Sequence, residues 1–210
     1  NLVGTVNGGT IRIDGQLPLQ AQGAGGGLTI VARDILIDVP RGLHSQLGAD
    51  LVWRQSEAAA TLQGKVEITA NRYTAPVTRI LELVNSLASA TRNSGESTLP
   101  PWLARTGLEI SFVVSDPILI DNSAGSVELI PDLRLGGTLD SPSLSGRIDV
   151  IDDGRVQLGG RAYRLRDSLL RFAPADGLVP TLDVLGDTRI GDYEVTVRIS
   201  GTPDRIETAF

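Results

Sequence analysis

Apolar and polar residues alternate singly along most of the chain. Leu47, Ala49, Leu51 and Trp53 are separated by Gly48, Asp50 and Val52, and Leu62, Gly64, Val66, Ile68 and Ala70 are interleaved with Gln63, Lys65, Glu67 and Thr69. Leu108, Ile110, Phe112 and Val114 repeat the pattern, followed by Leu133, Leu135, Gly137 and Leu139, then Leu144, Gly146, Ile148 and Val150, and finally Tyr193, Val195, Val197, Ile199 and Gly201. Successive strand side chains point to opposite faces, so each run predicts a strand with one greasy side and one wet side. Asn7-Gly8-Gly9, Asp14-Gly15, Asp153-Gly154 and Gly159-Gly160 supply turn or bulge signals between such runs.

One stretch has a different period. Val77, Ile80, Leu81, Val84, Leu87 and Ala88 recur at three- and four-residue spacings, with Pro76 suited to a first helical turn, so an amphipathic helix is expected over 75–91. A polar, glycine-containing and mobile loop is expected over 92–101, and Pro100-Pro101-Trp102 restarts the chain before the Leu108 strand. With a single helix, parallel βαβ architecture is not expected, and residues 1–210 read as one all-β domain with one amphipathic helix.

The chain carries a weak internal repeat. Leu62-Gln63-Gly64-Lys65-Val66-Glu67-Ile68 matches Leu144-Ser145-Gly146-Arg147-Ile148-Asp149-Val150 as Leu-x-Gly-basic-aliphatic-acidic-aliphatic, each copy placing glycine on its apolar side. Two readings fit: a chance likeness between alternating strands, or a repeated sheet unit.

A one-sided sheet must cover its apolar face with a second sheet, with helices or with something foreign. One short helix does not cover so many strands. A self-closed sandwich is one answer, but sandwich cores use large aromatic residues to span the roughly 10 Å between sheets. Here aromatic residues make up 4% of the chain. Short aliphatic side chains with Gly64, Gly137 and Gly146 among them also fit a sheet curled into a trough. The candidate lining of such a trough is Leu62, Val66, Ile68, Leu108, Ile110, Phe112, Leu144, Ile148, Val150, Val195, Val197 and Ile199.

The candidate chemistry is sparse. There is no cysteine, which removes disulfides, thiolate nucleophiles and cysteine metal sites. His44 is the only histidine, so no two-histidine metal site forms, and no G-x-S-x-G nucleophile elbow occurs. No catalytic residue, metal ligand or cofactor is assigned. Asp152-Asp153 before Gly154 starts a turn. Asp183, Asp187 and Asp192 fit either a solvated strand face or a calcium site, without the EF-hand pattern. Arg161, Arg164, Arg166 and Arg171 fit either a wet face with acidic partners or a basic rim facing phospholipid headgroups. The net charge of -6 and the absence of a basic cluster argue against nucleic acid as a partner. The chain opens at Asn1 and contains no methionine, so it is expected to be a fragment of a longer protein, with any anchor upstream.

The stretch Gly137-Thr138-Leu139-Asp140-Ser141-Pro142-Ser143-Leu144-Ser145-Gly146-Arg147-Ile148-Asp149-Val150 resembles the G-T-L-x-x-P-x-L-x-G-x-I-x-V segment of TamB-like proteins. Gly154 to Leu158, Gly160 to Leu165, Leu170-Arg171-Phe172, Pro180 to Val184 and Ile190 to Pro203 continue the likeness, which is best over 133–210. The resemblance implies the C-terminal domain of an AsmA-like translocation and assembly family: a β-taco, here a curled, elongated, antiparallel-rich sheet forming an apolar trough. It further implies a periplasmic location anchored in the inner membrane through an upstream segment. The implied partners are phospholipid or other acyl chains, a TamA-like outer-membrane barrel protein, and the rest of its own long β-rich chain. The implied roles are lipid transport between inner and outer membranes or scaffolding of outer-membrane β-barrel proteins by strand pairing, without catalysis. A closed, purely structural β-module is the remaining alternative.

Overall fold

The computed structural model describes residues 1–16, 25–37, 43–56, 59–74, 99–151 and 153–209. They form one sheet of 14 strands. The strands are β1 (Leu2–Val6), β2 (Gly9–Gln16), β3 (Gly27–Ile37), β4 (Leu43–Gln55), β5 (Ala60–Tyr73), β6 (Gly107–Val114) and β7 (Ile118–Asn122). They continue with β8 (Gly125–Gly137), β9 (Pro142–Val150), β10 (Arg155–Leu158), β11 (Arg161–Phe172), β12 (Pro180–Ile190), β13 (Tyr193–Thr202) and β14 (Arg205–Ala209). A single helical turn, α1 (Pro101–Ala104), precedes β6, and a 3₁₀ turn spans Pro174–Asp176.

Strand order largely follows chain order, as expected where short turns join antiparallel neighbours. Two slots in the sheet are each filled by two strands in succession. β6 and then β7 lie between β5 and β8, and β9 and then β10 lie between β8 and β11. β5 pairs in parallel with β6 and β7, while the remaining pairs are antiparallel. A parallel pair needs a crossover of a dozen or more residues, and the chain between Tyr73 and Gly107 supplies it. The helix expected over 75–91 and positions 92–98 of the expected loop lie outside the described residues. Leu99 and Pro100 lead into α1.

The glycine-rich turn signals have distinct fates. Asn7 (φ 46°) and Gly8 (φ 82°) close the β1–β2 hairpin, and Gly159 (φ 59°) and Gly160 (φ 76°) close the β10–β11 hairpin, both with the two positive φ angles of a tight primed turn. Asp14-Gly15 makes no turn: both residues sit inside β2, opposite Thr29 and Leu28. Bulges interrupt β3 between Ala32 and Ile35 and β11 between Arg166 and Leu169, with Asp34 (φ 57°) and Asp167 (φ 44°) as the left-handed residues.

Gly64 and Gly146, the glycines of the internal repeat, occupy equivalent places. Each lies in the second strand of a hairpin, β4–β5 or β8–β9, with φ of 147° and 116°. A Cβ at Gly64 would fall on the carbonyl oxygen of Asp50, and one at Gly146 on that of Asp132. The following basic residues, Lys65 and Arg147, stand opposite the same two aspartates. At both positions the partner strand approaches too closely for any side chain, as it also does at Gly15, Gly125 and Gly201 outside the repeat.

The sheet is curled and antiparallel-rich, and the burial pattern gives the side toward which it curls. Ala32, Ala49, Trp53, Ala60, Tyr73, Leu108, Ile110, Val127, Leu165 and Val197 are the buried strand hydrophobics among the described residues, and the ladder register puts all of them on one face. Val3, Leu36, Val113 and Ile130, on the other face, are exposed. The described residues thus form a layer folded toward its apolar side.

Replacing Gly64 or Gly146 by valine should lower the thermal midpoint by several degrees, from backbone strain of about 1–3 kcal/mol plus the clash with the partner strand. Gly4→Ala, where the added Cβ meets nothing within 4 Å, should leave the midpoint within about a degree. Thermal melts followed by circular dichroism compare the three.

Candidate functional site

Residues opposite one another in a ladder share a face, so the register can be followed across the sheet row by row. Ile13 stands opposite Ile30, Ile30 opposite Leu51, Leu51 opposite Gly64, Gly64 beside Ile110, Ile110 opposite Leu135, and Leu135 opposite Leu144. A neighbouring row runs Ile11, Ala32, Ala49, Val66, Phe112. Farther along the sheet, Pro131, Ile148, Leu170, Leu182, Gly201 and Ile206 line up strand after strand. A continuous apolar face therefore runs from β1 to β14.

All the candidate lining residues fall on this face. Leu62, Val66 and Ile68 of β5 stand beside Leu108, Phe112 and Val114 of β6, and Ile110 stands beside Gly64. Leu144, Ile148 and Val150 of β9 oppose Leu135, Pro131 and Leu129 of β8. Val195, Val197 and Ile199 of β13 oppose Thr188, Gly186 and Val184 of β12. Leu108, Ile110 and Val197 are buried, and the others are half-buried. The candidate lining leaves out Trp53, Tyr73, Val127 and Leu165, the other large buried members of the face, although Trp53 stands in the alternating run that marks β4. Tyr73 follows a register shift in the β4–β5 ladder, which breaks a simple count of two. Trp53 Nε1 and Thr106 Oγ1 are buried without a hydrogen-bond partner near the α1 end of the sheet. Such groups cost about 1–3 kcal/mol each.

The opposite face is laced with ion pairs. Arg33 Nη2 meets Asp50 Oδ1 at 2.6 Å, Arg166 Nε meets Asp187 Oδ2 at 2.7 Å, and Arg147 Nε meets Asp149 Oδ2 at 3.0 Å. Arg198 grips Asp183 with two donors, Nε to Oδ1 at 2.8 Å and Nη2 to Oδ2 at 2.7 Å. The hydrogen bonds from Arg198 hold the Asp183 carboxyl below its ordinary value of 3.8, and the same bonds raise the Arg198 guanidinium. Asp187 also accepts a 2.7 Å bond from Thr196 Oγ1. Asp183 and Asp187 are thus engaged by arginines, and Asp192 sits apart in the β12–β13 turn. Among the described residues no group of three or more acidic or histidine side chains is placed to hold a metal ion. His44 is exposed, opposite Arg72 on the β4–β5 ladder.

The arginine cluster splits between the two faces. Arg164 and Arg166 flank the buried Leu165 and pair with Asp153 and Asp187, and Arg171 lies on the wet face opposite Arg147 and Thr181. Arg161 has the opposite parity. It opposes Leu158, as Tyr163 opposes Val156, at the apolar-face positions of the β10–β11 hairpin. Among the described strand residues, Arg161 is the only charged side chain at an apolar-face position.

The family model of the TamB C-terminal domain matches residues 2–210. The chain belongs to the TamB C-terminal domain family. The match includes the first half, where sequence motifs alone were weak. No curated protein matches the chain. TamB-type domains belong to a translocation and assembly module of the Gram-negative envelope, with a part in outer-membrane assembly and a general association with TamA-like partners. No described helix is long and apolar enough to cross a membrane.

The Asp183–Arg198 pair gives this TamB-type domain a testable pH dependence. A depressed carboxyl contributes stability that is present above its unfolded value and lost as the pH falls through the folded value. Asp183→Asn should lower the thermal midpoint slightly at pH 7, because the pair is solvent-screened. That difference from the parent should close as the pH drops below 3.8. A difference that persists unchanged at pH 2.5 would assign the effect to something other than the ion pair.

Proposed function

We propose that the domain holds the hydrocarbon chains of phospholipid along its apolar face and passes them between inner and outer membranes in support of outer-membrane biogenesis. The observation that carries this reading is the uninterrupted apolar face from β1 to β14, of which only a fraction is buried by the described residues. Each methylene moved from water onto such a face contributes about 0.8 kcal/mol. A row of aliphatic side chains without directional polar groups tolerates sliding, as transfer along a conduit requires. The domain acts by binding, without a catalytic step, on the periplasmic side of an inner-membrane anchor and next to a TamA-like barrel partner. Leu62, Val66, Ile68, Leu108, Ile110, Phe112, Leu144, Ile148, Val150, Val195, Val197 and Ile199 are the lining in this proposal.

One observation favours a second reading. Among the described residues β1 pairs only with β2, and its sequence Leu-Val-Gly-Thr-Val contains no charge and no proline, with Leu2 and Val3 about 60% exposed. Edges are usually blunted by such residues, so β1 suits pairing with a nascent outer-membrane strand.

Photo-reactive residues at Val66, Ile148 and Val197 should each capture phospholipid from cells, and Ile148→Asp should abolish capture at neighbouring positions while the β-sheet circular dichroism is retained. If Ile148→Asp unfolds the chain and the three positions capture no lipid, the face is an ordinary core and the conduit reading fails. Capture of barrel-protein segments at β1, with none of lipid, would select the second reading.

A further inference from the structure

We infer that Arg161 is a headgroup contact: it binds the phosphate of a phospholipid whose acyl chains lie on the apolar face, at a rim formed by the β10–β11 and β12–β13 hairpins. This rests on the proposed function and names the part of the lipid that the face itself does not read.

The argument is one of placement. Along β11 the apolar-face positions run from buried Leu165 through half-buried Tyr163 to exposed Arg161. Along β13 they run from buried Val197 through half-buried Val195 to Tyr193, which is 77% exposed. Leu158 opposes Arg161, and Ile190 opposes Tyr193. The register set by Arg164 opposite Asp187, carried to the hairpin ends, brings Arg161 level with Ile190, and Thr188 Oγ1 donates to the Ala162 carbonyl at 2.8 Å at that end of the ladder. Leu158, Arg161, Ile190 and Tyr193 thus form one row at the outer end of the face, with Leu158 55% and Ile190 40% exposed.

This gradient from dry to wet matches a phospholipid laid along the strands. Aliphatic rows meet the hydrocarbon, while a tyrosine, with an apolar ring and a polar tip, meets the glycerol region. The guanidinium, whose fork fits phosphate oxygens, meets the headgroup. The charge complementarity is specific because the rest of the face is uncharged. Arg164 and Arg166, one and three residues from Tyr163, face the other way and are already held by carboxylates. The nearby acidic residues are Asp192 in the β12–β13 turn and Glu194, which opposes Arg189 on the wet face.

The test compares lipids with and without a phosphate-bearing headgroup. The 210-residue chain is titrated with short-chain phosphatidylglycerol and with diacylglycerol of the same chain length, with complexes counted by native mass spectrometry. The parent should bind phosphatidylglycerol at least fivefold more tightly. Arg161→Gln should erase that preference and leave diacylglycerol binding and the thermal midpoint unchanged, while Arg161→Lys should keep part of the preference. Equal binding of both lipids by the parent, or a preference that survives Arg161→Gln, overturns the headgroup contact and leaves the conduit standing. Absence of binding for both lipids overturns both. A concentration-dependent dimer abolished by Arg161→Gln would instead assign the rim to a second copy of the chain.

Discussion

The structure depends on keeping one apolar face in register across one very wide hydrogen-bonded ladder, with all the buried strand hydrophobics among the described residues on that side. A slip of one residue anywhere would turn a strand's greasy side outward, so the register is enforced by the solvent on both faces at once. The bulges in β3 and β11 show how the rule survives a local irregularity in the count. At Asp34 and Asp167 an extra residue is taken up in a left-handed conformation, after which the phase resumes with Ile35 and Leu170 on the apolar face. In the β11 bulge the hydroxyl of buried Ser168 donates its one proton to the Arg166 carbonyl at 2.9 Å, with the Leu185 carbonyl as the alternative acceptor at 3.2 Å, and accepts from the Leu185 amide, so the irregularity leaves few polar groups unmet.

Curling follows from the same one-sidedness. A flat single layer would expose both faces equally, and the hydrophobic effect acts only on the greasy one. Bending toward that face reduces its contact with water, but the strands must then bend in the middle, where ladder hydrogen bonds are least forgiving. Gly64 and Gly146 remove the obstacle by allowing a backbone conformation closed to other residues, close against the partner strand. Ion pairs on the convex face add little energy individually. They keep that face soluble while the lining stays free of charge.

Much of this was legible in the residues. Period-two alternation located the strands around Leu47, Leu62, Leu108, Leu144 and Tyr193, and it sorted the lining residues by face without knowledge of their partners. The Leu-x-Gly-basic-aliphatic-acidic repeat marked two glycines with the same close approach to a partner strand. Legibility ended where faces are assigned by long-range pairing. Arg161 shares the parity of Tyr163 and Leu165, unlike Arg164 and Arg166, but only the pairing with Leu158 and Val156 across β10 ties that parity to the apolar side. Nor does a local pattern tell that β6 joins β5 in parallel, or that Asp14-Gly15 continues a strand instead of reversing it. Those choices are made by contacts dozens of residues away, whose entropy of closure has no signature in a short window.

Neither outer strand of the sheet is satisfied by the described residues: β1 and β14 each have a single neighbour. Such a surface has no inherent length. Each further hairpin docked onto either margin would extend the greasy path by two strand spacings, about 10 Å, without altering anything already built. Reach then becomes a matter of how many hairpins are strung together, and a gap of any width can be bridged by repetition alone.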